Sequence, residues 1–283
     1  MDQIICVVGS TATGKTKKAI ELASLNPSIL ISADSRQVYK GMDIVPGKDH
    51  PINVPMFGID LVNPNEPCSV SVWYDAVKPH IDEAISKNIQ VIVVGGTGLY
   101  VKAITEGIET MSVPINQDLR KELETLSLIE LQTKLMSVDS VKFKSMNHSD
   151  QLNPRRLVRA IEIASSSMVP VKLNIIDSDP KILGLRYADE KIQKSQIHSR
   201  VLSRLDVGAV EETKTLLNKY SEGVQSMSAI GYKSIIKYLS REFTKDQMIE
   251  AWVNDEMAYV KRQMTWFRKV KSIQWSEIDQ VGA

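Results

Sequence analysis

The sequence predicts an α/β fold in which a parallel sheet carries helices on both faces. Three short apolar runs indicate buried strands, at residues 4–8, 29–31 and 91–94, and stretches with helical character separate them. Strands that helices cover on both faces are continuous β-branched runs, because neither face meets water. A Gly-rich turn follows the first run directly, so a loop is expected at the carboxyl end of that strand.

The other elements follow in chain order. Helical patterns cover residues 15–25 and 73–87, and further strands are expected at 56–61 and 182–185. Beyond about residue 117, long polar–apolar periodicity with few Gly or Pro is typical of helices. We expect an α/β core at 1–188 with a helical segment at 117–165, a helical insertion at 189–245, and a C-terminal helix at 246–283 that returns to the core.

Composition excludes several classes of protein. The 283 residues are 43% hydrophobic and 24% charged, which is typical of a globular chain. Because 35 basic and 34 acidic residues leave a net charge of +1, contacts with nucleic acid must come from local basic clusters. No apolar run reaches the roughly 18 residues of a membrane span. The start Met1-Asp2-Gln3 lacks the basic region of a signal peptide, and two isolated cysteines favour the reducing cytoplasm.

The turn after the first strand fits the phosphate-loop pattern G-x-x-x-x-G-K-[ST]. Its residues are Gly9, Ser10, Thr11, Ala12, Thr13, Gly14, Lys15 and Thr16. Backbone N–H groups of such a loop, with the N-terminus of the next helix, bind phosphate oxygens. Lys15 would neutralise a phosphate and Thr16 would ligate Mg²⁺. The alternative is a strand–helix turn that binds no ligand, but the preceding strand and following helix favour the phosphate site.

The acid that ATPases and GTPases place after a second apolar strand is missing. Residues 91–94 lead into Gly95-Gly96-Thr97-Gly98 instead, and the acid is Asp34, after the strand 29–31. Ligands gather at the carboxyl ends of parallel strands, so Asp34, Thr97 and the phosphate loop should share one crevice. Asp34 could simply cap the turn 34–37, but its position beside a phosphate site favours a role in acid–base catalysis.

Six ordered sequence blocks resemble the tRNA dimethylallyltransferase (tRNA isopentenyltransferase) family, of the bacterial type. They cover nearly the whole chain and lie at residues 9–16 (GSTATGKT), 34–39 (DSRQVY), 95–100 (GGTGLY), 153–160 (NPRRLVRA), 229–233 (AIGYK) and 261–268 (KRQMTWFR). The resemblance implies an α/β core like that of phosphate-loop nucleoside triphosphate hydrolases. It also implies transfer of a dimethylallyl group from dimethylallyl diphosphate to N6 of the adenosine next to the tRNA anticodon. The loop would then hold the diphosphate leaving group with Mg²⁺, which explains the missing acid.

The resemblance also implies roles for particular residues. Asp34 would accept the adenine proton, and Thr97 would bind the same nucleotide. Arg204, with Arg200 one turn earlier, would contact the diphosphate, although this pair could also be a solvated helical face. The expected tRNA contacts are Asp34, Ser35, Arg36, Gln37, Thr97, Arg120, Arg155, Arg156 and Arg159. The basic residues between 261 and 271 could bind phosphates or form the outer face of a core helix.

Some features depart from the family pattern. Residues 45–48 read Val-Pro-Gly-Lys instead of Gly-Thr-Ala-Lys, so the role of Lys48 is open. The resemblance to the bacterial type leads us to expect no zinc-finger extension of the kind that eukaryotic members carry. Three alternative functions remain at this point: an ATP-dependent small-molecule kinase, an adenylate isopentenyltransferase that needs no basic clusters, and a non-catalytic RNA-binding module. A monomer is expected, and the tRNA anticodon stem-loop is the expected partner.

Overall fold

The protein contains a six-stranded sheet in which every neighbouring pair of strands is parallel. The structure is a computed structural model that describes residues 3–172 and 180–278, so the Met1-Asp2 start discussed above lies outside the described residues. The strand order is β3-β2-β4-β1-β5-β6. The strands are β1 (Ile4–Gly9), β2 (Ser28–Ser32), β3 (Met56–Phe57), β4 (Gln90–Gly95), β5 (Lys181–Tyr187) and β6 (Ile273–Ile278).

The two central strands are buried along their whole length, β1 next to β4. On one face Ile5, Val7 and Ile92 pack with Leu30 and with Ala19 of the following helix. Each such aliphatic side chain stabilises the fold by roughly 1.5–3 kcal/mol relative to exposure. The predicted α/β fold with a parallel sheet is therefore confirmed, and the carboxyl ends of β1, β2 and β4 meet at one edge.

Twelve α-helices connect and cover the strands in the part of the chain that is described. They are α1 (Lys15–Ala23), α2 (Val70–Ser86), α3 (Gly98–Thr105), α4 (Gln117–Glu124), α5 (Leu128–Val138), α6 (Ser140–Ser145), α7 (His148–Gln151), α8 (Pro154–Ala164), α9 (Glu190–Asp206), α10 (Ala209–Lys219), α11 (Tyr232–Leu239) and α12 (Lys245–Phe267). Side-chain caps begin several of them, such as the Thr244–Gln247 capping box of α12. None of these helices is long and apolar enough to cross a membrane.

The chain divides into two compact units. The sheet unit comprises Met1–Thr105 and Ile175–Ala283, and the helical unit comprises Glu106–Asn174. The helical unit has its own core, in which Leu123, Leu131 and Leu135 pack against Leu157 and Ile161. This division differs from the one expected from the sequence, which placed the insertion at 189–245 and counted 117–165 with the core.

Two strands also differ from expectation. The strand expected at 56–61 ends at Phe57, because Gly58 has φ +85° and Asp60 has φ +53°, which break the extended chain. The edge strand β6 was not expected, because the residues after α12 showed no buried apolar run. Among its side chains only Ile273 is buried, and the strand depends on β5 for its hydrogen bonds.

Candidate active site

The phosphate loop joins β1 to α1 through a sharply folded backbone. Gly9 has φ +148°, and a Cβ atom there would lie 2.2 Å from the Leu185 carbonyl oxygen. Gly14, with φ +73°, stands directly before α1 in the left-handed conformation, which glycine adopts without steric cost. Ala12 is also left-handed, at φ +64°. The loop thus has the compact form that turns backbone N–H groups toward an anion at a helix N-terminus.

Lys15 folds back over this loop. Its Nζ donates to the Ser10 carbonyl oxygen at 2.6 Å, and the Thr13 hydroxyl donates to the same oxygen at 2.8 Å. Burial, and then the positive charge of Arg200, lower the pKa of Lys15 to about 8, while the negative charge of Asp34 opposes the shift. A cation held in these surroundings gains strongly from an incoming anion.

The loop opens into a cavity of about 880 Å³ at the carboxyl edge of the sheet. Asp34, Gly95 and Gly96 line the same cavity, together with Arg200 and Tyr259. Thr97 directly follows the cavity-lining Gly96, and its Oγ1 accepts a hydrogen bond from the Ser35 N–H at 3.0 Å. Gly95 permits this arrangement, because a Cβ atom there would lie 2.2 Å from the Ala33 carbonyl oxygen. Phosphate loop and carboxylate therefore face the same space.

Asp34 has a structural contact as well as its place on the cavity. Its Oδ1 accepts a hydrogen bond from the Arg36 N–H at 2.9 Å, which stabilises the turn over residues 34–37. The segment is a turn and not the first turn of a helix. The Asp34 carboxylate therefore stabilises the turn and also lines the cavity.

The two arginines of α9 have different surroundings. Arg200 lines the cavity, and its Nη1 donates to Thr11 Oγ1 at 3.1 Å. Arg204 is buried and paired with Glu256 at 3.0 Å, and it also donates to the Pro46 carbonyl oxygen at 3.3 Å. The sequence favoured Arg204 as the diphosphate ligand, whereas the structure places Arg200 on the cavity and directs Arg204 into an ion pair.

One face of α12 contributes side chains that the sequence analysis did not select. Glu256 pairs with Arg204, Tyr259 is hydrogen-bonded to the Thr97 side chain, and Gln263 bridges two loops. Burial, and then the charge of Asp34, raise the pKa of Tyr259 to about 12, so the phenol stays protonated at neutral pH. The sequence does contain a pattern for this face, because positions 256, 259 or 260, 263 and 267 follow helical spacing. That pattern predicts a buried face, but it does not indicate what the face touches.

The loop over residues 43–48 is held from two sides. The Glu212 carboxylate on α10 accepts hydrogen bonds from the backbone N–H groups of Asp43, Ile44 and Val45 at 2.7–3.1 Å. Lys48 has a fully buried side chain whose Nζ contacts Asp43 and Asp60, each at 2.6 Å. Lys48 therefore cross-links its loop, which answers the question that the sequence left open.

The residues expected to contact tRNA fall into three groups. Gln37 lines the cavity, but its amide is already bonded to Ser32 and to the Gly47 carbonyl oxygen. In the helical unit, Arg120 and Arg159 both bind the buried Glu162. Although burial opposes it, these bonds hold the pKa of Glu162 below its ordinary value. The third group is exposed: Arg155 is on the surface, and Arg156 pairs with Asp150.

Comparisons with known proteins agree on one family. A family model described as IPP transferase matches residues 37–270. The tRNA dimethylallyltransferase of Acetivibrio thermocellus is 34% identical, over 99% of this chain and 93% of that protein. The enzyme of the same name from Clostridioides difficile is 35% identical, over 98% of this chain and 92% of that protein.

Solved structures show the same likeness. The tRNA isopentenylpyrophosphate transferase of Bacillus halodurans is 31% identical with a TM-score of 0.69, covering 100% of this chain and 92% of that one. A eukaryotic dimethylallyltransferase shares the fold, with a TM-score of 0.81 at 22% identity over 99% of this chain and 75% of that one. Since the family model spans most of the chain and relatives above 30% identity cover nearly all of it, the chain belongs to the IPP transferase family.

Proposed function

We propose that the protein transfers a dimethylallyl group from dimethylallyl diphosphate to N6 of the adenosine next to the anticodon of tRNA. The observation that supports this most directly is the shared cavity, in which a phosphate loop faces Asp34 in a chain of this family. The relatives named above are tRNA dimethylallyltransferases. Kinase and free-nucleotide activities lack a comparable observation in their favour.

The phosphate loop would hold the diphosphate of the donor. Lys15 and the loop N–H groups would bind its oxygens, and Arg200, which lines the cavity, would add a second positive charge. Arg204 would act on the donor only through the 43–48 loop, since its guanidinium is already paired with Glu256. Balancing the charge of the diphosphate makes it a better leaving group.

Thr16 suits the Mg²⁺ expected at such a loop. It lines the cavity next to Lys15 in the first turn of α1, and its hydroxyl is a hard oxygen donor. Mg²⁺ is usually held by one or two protein oxygens, with phosphate and water supplying the rest. When bound, the ion would neutralise charge that develops on the leaving diphosphate. The protein itself would position the Thr16 hydroxyl and the Lys15 ammonium group beside the same phosphates.

Asp34 would take the proton that the reaction releases. As the allylic C–O bond to diphosphate breaks and the C–N bond to adenine N6 forms, the amine loses one proton, which a carboxylate within hydrogen-bond reach accepts. Thr97, held by Ser35 and Tyr259, would orient the same nucleotide. The target base must leave the stack to reach the cavity.

We propose fewer RNA-contacting residues than the sequence led us to expect. Ser35 and Arg36 are half-buried beside the cavity, and Arg155 and Arg156 are exposed on the helical unit. Arg120 and Arg159 instead would stabilise the helical unit through Glu162, and Gln37 would brace its loop. Phosphate contacts by exposed arginines supply affinity that depends on salt.

The test is transfer from radiolabelled dimethylallyl diphosphate to bulk tRNA, to AMP, or to no acceptor, with and without Mg²⁺. We expect label in tRNA alone, in a reaction that slows when EDTA removes the metal. Label in AMP would support the free-nucleotide activity. Phosphate transfer from ATP to a small molecule without prenyl transfer would support a kinase.

A further inference from the structure

The side chain of Gln263 spans the space between the phosphate loop and the loop that carries Thr97. Its Oε1 accepts a hydrogen bond from the Thr11 N–H at 2.9 Å, and its Nε2 donates to the Gly96 carbonyl oxygen at 3.0 Å. The side chain is almost completely buried, at 4% exposure, and it also lines the cavity. We propose that Gln263 is a positioning residue that sets the separation between donor and acceptor, an inference that rests on the function proposed above.

The surroundings of the Gln263 side-chain amide match both its size and its hydrogen-bonding groups. A Cβ atom on Gly96 would lie 2.1 Å from Gln263 Nε2, so any side chain at position 96 would displace the Gln263 amide. The two partners are a backbone donor and a backbone acceptor, and both are neutral. An amide holds an acceptor oxygen and a donor NH₂ group side by side in one rigid plane, whereas a carboxylate offers acceptors only. The interaction therefore specifies glutamine by size and by hydrogen-bonding pattern.

The bridge connects the two halves of the proposed reaction. Thr11 belongs to the loop that would hold the diphosphate, and Gly96 directly precedes Thr97. The Thr97 N–H donates to the Ala33 carbonyl oxygen at 3.1 Å, and Ala33 directly precedes Asp34. Reacting atoms must come within about 3–3.5 Å of each other, and a displacement of 1 Å can cost about 10²-fold in rate. An amide that fixes one loop against the other thus controls the rate of the chemical step.

The experiment uses Gln263→Glu, Gln263→Leu and the control Gln247→Glu. A protonated glutamic acid has the shape of glutamine, with a carbonyl oxygen for the Thr11 N–H and a hydroxyl for the Gly96 oxygen, but ionisation removes that donor. Leucine provides neither group. Gln247 lies at the start of the same helix, and its Oε1 only accepts from the Thr244 N–H, which glutamate also does.

Single-turnover transfer to an anticodon stem-loop is measured between pH 5.5 and 8.5, with inorganic diphosphate affinity and thermal melting on the same preparations. At pH 8 we expect the rate to fall about 10²-fold in both Gln263 variants. In the uncharged Gln263→Leu the affinity for diphosphate should change much less, whereas the ionised carboxylate of Gln263→Glu should also weaken diphosphate binding at that pH. As the pH falls, the rate of Gln263→Glu relative to the parent should rise by up to about tenfold per pH unit. Gln263→Leu should show no recovery, and Gln247→Glu should follow the parent.

Other titratable groups on this cavity are present in parent and variant alike, so the ratio of the two rates removes their effect. The main ones are Lys15, Asp34, Asp49, His50, Arg200 and Tyr259. If Gln263→Leu does not fold, the inference is tested by the pH dependence of the Gln263→Glu rate relative to the parent rate. A flat ratio, or transfer by Gln263→Glu within threefold of the parent at pH 8, would overturn the inference. A folded parent that transfers nothing would instead overturn the proposed function, and this inference with it.

Discussion

At the residue scale, Asp34 has a structural contact and, in the proposed reaction, a chemical role, and one substitution separates the two. Asn retains the side-chain oxygen that accepts the Arg36 N–H, so Asp34→Asn should melt at the parent temperature. It cannot accept a proton as a carboxylate does, so single-turnover transfer should fall by about 10²–10⁴-fold.

The comparison variant is Asp49→Asn, which removes another carboxylate from the same cavity. We expect the single-turnover transfer rate of Asp49→Asn to fall by less than tenfold. Equal losses in the two variants would assign the effect to cavity charge and not to proton transfer by Asp34.

Lys15 should make the stability of the free protein depend on pH. Its pKa is lowered to about 8 in the folded state, whereas an unfolded lysine titrates near 10.4. Between these values the unfolded chain binds more protons, so the contribution of Lys15 to stability increases as the pH rises. Below about pH 8 both states are protonated and this contribution is constant. The melting temperature of the parent minus that of Lys15→Met should therefore increase from pH 7.5 to pH 10 in metal-free buffer.

The second measurement is the melting temperature of the parent and of Lys15→Met with inorganic diphosphate added. Diphosphate should raise the melting temperature of the parent at pH 7, because a ligand that binds only the folded state stabilises it. The increase should be small or missing in Lys15→Met. A melting difference that stays constant with pH would show that Lys15 titrates as an ordinary lysine.

At the element scale, α10 holds the 43–48 loop in place through Glu212. In Glu212→Gln one carboxylate oxygen becomes an NH₂ group, which can no longer accept from the backbone N–H groups that it faces. Leaving such groups without an acceptor costs about 1–3 kcal/mol. We expect a loss of that size in urea unfolding, together with weaker diphosphate binding, since Pro46 and Gly47 line the cavity.

The control is Glu211→Gln, on the next residue of the same helix, where the side chain is exposed and its ion pair with Lys214 lies on the surface. That variant should unfold within about 0.5 kcal/mol of the parent. Similar losses in both variants would mean that the charge of α10, and not the contact with the loop, is responsible.

At the scale of the whole molecule, the helical unit should contribute to RNA affinity. Replacing Arg155 and Arg156 with Ala removes two exposed cations, so tRNA binding should weaken and its slope against log salt should fall by about two. The measurement is the dissociation constant over a salt series. Replacing Lys214 and Lys219 on α10 removes the same charge from the sheet unit and should leave the slope unchanged. A slope equal to that of the parent would remove Arg155 and Arg156 from the RNA contacts.

Sequence reasoning succeeded where the signal was local. The buried strands β1, β2 and β4 and the phosphate loop depend on runs of neighbouring residues, and all were predicted. Strand β6 depends on pairing with β5, about ninety residues away, so its own residues carried little signal. Gln263 and Glu212 act on backbone groups far along the chain, and spacing alone does not identify such partners. Helical periodicity likewise showed two long helical regions without showing which of them packs as a separate unit.

The position of α12 late in the chain has a consequence for synthesis on the ribosome. The phosphate loop and Asp34 emerge early, but Gln263 and Tyr259 emerge only after most of the protein has been made. A nascent chain folds progressively as it leaves the exit tunnel. Until α12 docks, a growing chain has the anion-binding loop without the side chains that fix it against the Thr97 loop. Premature termination before α12 would therefore yield a polypeptide that lacks an assembled active site.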